Sequence, residues 1–139
     1  MTSRPPITEL VAAVREHLAA FAVPDPVAVE LATVGDPLRV QLRSADLAGI
    51  CSDLLTWADT LDRISAQVWR LDEGRTLHIA LHGRLAGGVP IVVYGMCLHC
   101  PAVFPTLDAG QRRPLSLAVV RACAEPPTAP GALESGWPA

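Results

Sequence analysis

Lysine and asparagine do not occur in the chain, and aromatic residues make up only 4% of it. Without lysine there is no Schiff-base nucleophile and no phosphate-binding loop of the Gly-rich Lys-Ser/Thr type. Without asparagine there is no N-glycosylation acceptor. Both residues use AT-rich codons, so their joint absence points to a GC-rich genome. With so few aromatics, a core has to be built mostly from Leu, Val and Ala. No apolar stretch is long enough to span a bilayer. The N-terminus, Met1-Thr2-Ser3-Arg4-Pro5-Pro6, does not have the pattern of a signal peptide. The expectation is a cytoplasmic protein with no membrane partner.

What is present suits one small core. Half of the 139 residues are hydrophobic, and a chain of this length forms a single domain. The domain is expected to cover residues 1–124, followed by a disordered Pro/Gly-rich tail over 125–139 that carries Pro126, Pro127, Pro130 and Pro138. Net charge is −3, all 11 basic residues are Arg, and Arg112–Arg113 is the one basic doublet. Sequence-independent nucleic-acid binding needs clustered phosphate neutralisers. Acidic residues are interspersed here, which demotes that class.

The periodicities alternate between helix and strand. Ile7, Leu10, Val11, Val14, Leu18 and Phe21 recur at helical spacing over residues 7–22, and Pro24 and Pro26 stop that helix. Residues 27–43 read as a hairpin around Gly35-Asp36-Pro37. Pairing Leu31 with Leu38 brings Val29 to Val40 and Val27 to Leu42 on one face. Residues 45–61 form the strongest helix pattern, with Ser44 as N-cap and Leu47, Ile50, Cys51, Leu54, Ala58 and Leu61 as its apolar stripe. Residues 63–95 read as a three-stranded meander. Its turns are Asp72-Glu73-Gly74-Arg75 and Ala86-Gly87-Gly88, the second with a left-handed Gly. Both turns give the same core face: Ala66, Val68, Ile79, Leu81, Ile91 and Val93. Residues 96–113 read as an ordered loop and 114–123 as a short helix with Pro114 in its first turn. The expected fold is α+β, a five-stranded, mainly antiparallel sheet with helices on one face, in the order α-β-β-α-β-β-β-α.

The segments Leu54 to Leu61, His78 to Leu85, Val93-Tyr94-Gly95 and Pro114 to Arg121 resemble small actinobacterial proteins of the Streptomyces type, over about residues 27–124. The resemblance implies a GC-rich actinobacterial origin and a cytoplasmic address. It implies no activity and no site residues.

No residue pattern asks for a catalytic role. Gly-x-Ser-x-Gly is absent, Ser44 is committed to capping, and Asp59, Asp62 and Asp72 are separate carboxylates near element ends. Cys97-x-x-Cys100 needs two further ligands to hold zinc, and only His99 and Cys123 are at hand. These are weak metal candidates, so no metal or other cofactor is expected. Cys97 and Cys100 read as loop thiols, and Cys51 and Cys123 as core packing. His78 and His82 fall on a strand and share a face about 13 Å apart, too far to bind one metal. Taken alone they read as solvent-facing.

The second face of the meander stands out. The register sets Trp69 opposite His78, sets Gln67 opposite Ala80 and beside Tyr94, and puts Val92 beside His82. Such a face, with apolar bodies and polar tips, suits an interface. A simpler reading is that residues 97–124 cover it. The leading expectation is a non-catalytic interaction module, homodimeric or bound to another protein through Gln67, Trp69, His78, His82, Val92 and Tyr94. The alternative is a small enzyme or small-ligand-binding protein with a pocket near Trp69, His78, His82 and Tyr94. A nucleic-acid accessory role is third. Truncation after Glu125 is expected to leave the Tm of the protein unchanged. A fall of several degrees in a thermal melt would show that the tail packs on the domain.

Overall fold

The computed structural model describes residues 5–125; nearly all of the expected disordered tail lies outside the described residues. The elements run α1 (Ile7–Ala20), β1 (Ala28–Leu31), β2 (Leu38–Gln41), α2 (Leu47–Ala58), β3 (Asp62–Arg70), β4 (Thr76–Arg84), β5 (Pro90–Leu98), β6 (Arg112–Leu115) and α3 (Leu117–Ala124). The fold is α+β, with one mixed sheet of six strands in the order β1-β2-β5-β4-β3-β6.

The meander follows its turn chemistry. Gly74 and Gly88 both have positive φ, and each donates its backbone N–H across its turn, to Leu71 O and Leu85 O. The pairs Val68–Ile79, Ala66–Leu81 and Leu81–Val93 form as the register requires. The hairpin forms with Val29 on Val40 and Leu31 on Leu38. It docks beside β5 in parallel, Val40 against Val93, so the sheet is not antiparallel throughout.

The strand count of five is corrected to six. Arg112-Arg113-Pro114-Leu115 shows no apolar alternation, yet it pairs antiparallel with β3 as the last strand of the sheet. Pro114 is tolerated there because an edge strand has one unpaired side. It is therefore a strand residue, and α3 starts later, capped by Ser116 Oγ accepting from Val119 N at 3.2 Å. β5 also runs on to Leu98, which makes Cys97 a buried strand residue instead of a loop thiol.

All three helices bury side chains on one sheet face. Leu10 and Val14 of α1, Ile50, Cys51, Leu54 and Trp57 of α2, and Val120 of α3 join Val68, Ile79, Leu81 and Val93 in a single cluster. α2 starts two residues later than expected. Asp46 is its N-cap, accepting from Gly49 N at 2.7 Å, while Ser44 Oγ donates to Asp53. The inward face of α1 is rotated relative to the apolar stripe. His17 is buried and Phe21 is exposed, because the His17 ring stacks on Trp57 with centroids 5.6 Å apart. The Thr60 hydroxyl donates to Trp57 O at 2.7 Å, so it accepts from His17 Nε2 at 2.8 Å. Burial lowers the pKa of His17, in keeping with a neutral ring.

α2 approaches the sheet closely where Ile50 lies over Gly95. A Cβ at Gly95 would lie 2.8 Å from Ile50 Cγ1 and 3.0 Å from Cγ2, and Ile50 is fully buried. Gly95→Ala is expected to destabilise the protein by about 1–3 kcal/mol through overpacking. Urea denaturation measures this, and adding Ile50→Val should recover part of the loss. A Gly95→Ala variant as stable as the parent would show that α2 is free to lift.

Candidate interaction face

The opposite sheet face is built by the even-numbered residues of β4 and β5 and the odd-numbered residues of β3. Three cross-strand rows follow from the register. The first runs Arg112–Trp69–His78–Met96, and the second Pro114–Gln67–Ala80–Tyr94–Gln41. The third runs Ser65–His82–Val92–Arg39–Glu30.

Segment 97–124 meets this face only at its edge, where β6 adds Arg112 and Pro114. Phe104, Leu107 and Val120 bury themselves on the helix side, in the main core. The loop is held there by Arg70 Nη1 donating to Leu107 O at 2.8 Å and Gly110 N donating to Arg70 O at 2.7 Å. Among the described residues, the second buried cluster contains only Ala80, Val92 and Tyr94, all from the sheet itself.

A diagonal line of stacked side chains crosses the face. The Arg112 guanidinium lies 4.1 Å from the Trp69 ring centroid. Trp69 meets His78 at 5.8 Å, tilted, and His78 stacks on Tyr94 at 4.7 Å and 17°. The Arg39 guanidinium lies 4.9 Å from the Tyr94 centroid. Cation–π and aromatic contacts each contribute about 0.5–1.5 kcal/mol in such settings. Arg39 also faces Glu30 at 3.7 Å across the hairpin. The direct pairs were readable from the turns. The diagonal from His78 to Tyr94 was not, because it depends on where the rings lean. Ala80, opposite Tyr94, is small, and the larger side chains around it cover it completely.

His78 and His82 are half-buried, which corrects the reading of them as solvent-facing. Burial first, and then the charges of Arg39, Arg112 and His82, lower the pKa of His78 to about 4. The neutral ring is thus what the ladder holds at neutral pH. The other candidates are dispersed. Cys97 is in the core, the Cys100 thiol donates to Leu98 O at 3.4 Å, and His99 Nδ1 is buried without a hydrogen-bond partner. Among the described residues, no group of three or more His, Cys, Asp or Glu side chains is arranged to hold a metal ion. Nor is any described helix long and apolar enough to cross a membrane.

Comparison with protein-family models, with curated proteins and with solved structures returns no match.

His78 gives the face a pH signature. Its folded pKa lies below its unfolded value near 6.5, so the unfolded chain binds more protons between the two. Its contribution to stability is complete above about pH 6.5 and is lost progressively as pH falls toward 4. An NMR titration of the imidazole should show a midpoint well below 6.5, and Arg112→Gln should raise it. A midpoint at the ordinary histidine value would mean that the ring is solvated and the ladder open.

Proposed function

We propose that the protein is a non-catalytic interaction module that forms a homodimer through the outer face of its sheet. The observation that carries the reading is the ladder Arg112–Trp69–His78–Tyr94–Arg39, laid across five strands on a face to which no described helix contributes a buried residue. Large aromatic bodies with polar tips are what protein interfaces enrich.

The face is able to meet a copy of itself. Its two flanking arginines are each engaged within the chain, Arg112 on Trp69 and Arg39 on Tyr94 and Glu30. Two copies would therefore meet with their cations already compensated. The rows between offer Gln41, Gln67, Ser65 and His82, which both donate and accept hydrogen bonds and can pair with their own kind. Its area is also adequate. β3, β4 and β5 have 9 residues each and β1, β2 and β6 have 4 each. At about 3.3 Å per residue and 4.8 Å between strands, they present about 600 Å² in plan. Side-chain relief raises the accessible area toward the roughly 800 Å² per partner that a specific interface buries.

The competing readings fit less well. A ligand pocket needs side chains around a hollow, whereas Trp69, His78 and Tyr94 pack on one another in a line. A nucleic-acid surface needs contiguous cations. Arg39 and Arg112 stand on strands that lie about 19 Å from each other with three strands between them, and Arg113 turns away to bond Thr106 O at 2.9 Å.

Trp69→Ala is the decisive variant. Analytical ultracentrifugation of the parent protein should give a dimer, and of the variant a folded monomer. If Trp69 instead serves only its own chain, the variant loses stability by up to roughly 3–5 kcal/mol with no change in oligomeric state. A parent protein that sediments as a monomer overturns the reading.

A further inference from the structure

α1 is anchored less deeply than α2. It buries Leu10, Val14 and His17, whereas α2 buries Ile50, Cys51, Leu54, Trp57 and Ala58. One of the three anchors of α1 is thus titratable. Between α1 and β1, residues 21–27 form no helix or strand and contain Pro24 and Pro26, so an irregular tether joins α1 to the sheet.

His17 is 5% exposed. Its ring stacks on Trp57 at 5.6 Å and 12° and meets Phe21, tilted, at 4.7 Å. Nε2 carries the proton, because the Thr60 hydroxyl spends its own hydrogen on Trp57 O. Nδ1 is therefore the nitrogen that a second proton takes. The ring also lines a hollow of about 240 Å³ between α1 and the β4–β5 turn, which gives solvent protons an approach to it.

The surrounding charges do not replace the hydration that a cation loses there. On α1, Glu16 shares the hollow, but both it and Arg15 are exposed and screened by water. From α2 come Trp57 and Thr60, with Asp59 exposed at the C-cap. The carbonyl end of that helix favours a cation, yet Trp57 O already accepts from Thr60 N at 2.9 Å and Thr60 Oγ1 at 2.7 Å. The β4–β5 turn brings Leu85, Ala86 and Gly87, and Arg84 before it is a cation tied to Gly88 O. β1, which α1 also touches, directs Glu30 to Arg39 on the outer sheet face. Burial accordingly lowers the pKa of His17.

We propose that His17 is an acid-operated latch for α1. The neutral ring docks the helix on Trp57 and the Thr60 hydroxyl. A second proton, on Nδ1, places an uncompensated cation in the core, and α1 undocks while the sheet, α2 and α3 stay folded. Undocking hydrates the imidazolium and uncovers Leu10, Val14 and Trp57. The rest of the core, from Ile50 and Leu54 to Val68, Ile79, Leu81 and Val93, comes from other elements and remains closed. The sign follows from proton binding. Undocked His17 regains an ordinary pKa near 6.5, so below about that pH the undocked state holds more protons and acid favours it. The latch lies on the helix side of the sheet and is independent of the proposed dimer face.

Hydrogen–deuterium exchange of the full-length protein, read by mass spectrometry from about pH 7.5 to about pH 5, tests the latch, with intrinsic exchange rates divided out. The opening equilibrium of α1 should rise by up to about tenfold for each pH unit below about 6.5, ahead of α2 and β4. His17→Gln keeps an N–H donor for Thr60 and cannot titrate, so its α1 opening should not change with pH. His78→Gln should leave the α1 response as in the parent. Protection of α1 that is indifferent to pH overturns the proposal. So does a His17→Gln variant that still opens in acid, or loss of α1 and β4 protection in step. If His17→Gln does not fold, an NMR titration of the parent decides: α1 opening must follow the His17 imidazole, and opening at a pH where that ring does not titrate overturns the latch.

Discussion

β4 is hydrogen-bonded on both sides along its length, to β3 from Asp62–Arg84 through Arg70–Leu77 and to β5 from Arg84–Pro90 through Thr76–Leu98. Because side chains alternate with period 2, this double pairing assigns each residue of three strands to one of two faces. Leu77, Ile79 and Leu81 go to the helices, and His78, Ala80 and His82 go to the other side. A slip of one residue would put His78 into the core and Ile79 outside. The ladder on the outer face and the core on the inner face therefore depend on one register, and the turns at Gly74 and Gly88 hold it.

The rest of the molecule is arranged around that ribbon. α2 crosses it where Gly95 leaves space for Ile50, and this brings Cys51 and Leu54 into the core on the sheet, with α3 packed alongside. The 99–111 loop folds to the same side, tied by Arg70. The segment after it returns to the sheet edge as β6. That return carries Arg112 to the Trp69 ring, so the outer face is completed by a strand added at its edge and no layer is laid over it.

The two faces differ in how they satisfy polar groups. On the helix side, His17 is the buried polar side chain, held neutral by burial between Trp57, Phe21 and the Thr60 hydroxyl. On the outer side, His78 is neutral for a second reason, because two arginines and His82 face it. A histidine between cations favours its uncharged form and can then stack on Tyr94 as an aromatic ring.

Sequence alone determined the meander, its register, the hairpin pairing and the meander's own residues on the outer face, Gln67, Trp69, His78, His82, Val92 and Tyr94 among them. Those follow from turn chemistry and from an alternation that spans only a few residues, so no distant contact is needed to read them. Tertiary structure alone decided three further matters. The docking of β2 beside β5 in parallel joins segments about fifty residues apart, and no local pattern encodes it. β6 is a strand because β3 offers an open edge, not because Arg112-Arg113-Pro114-Leu115 has strand character of its own. The inward turn of His17, and the lean of Tyr94 onto His78 instead of straight across to Ala80, come from side-chain packing in three dimensions. Periodicity can say which face a residue occupies, but which neighbour its ring touches depends on the shapes beside it.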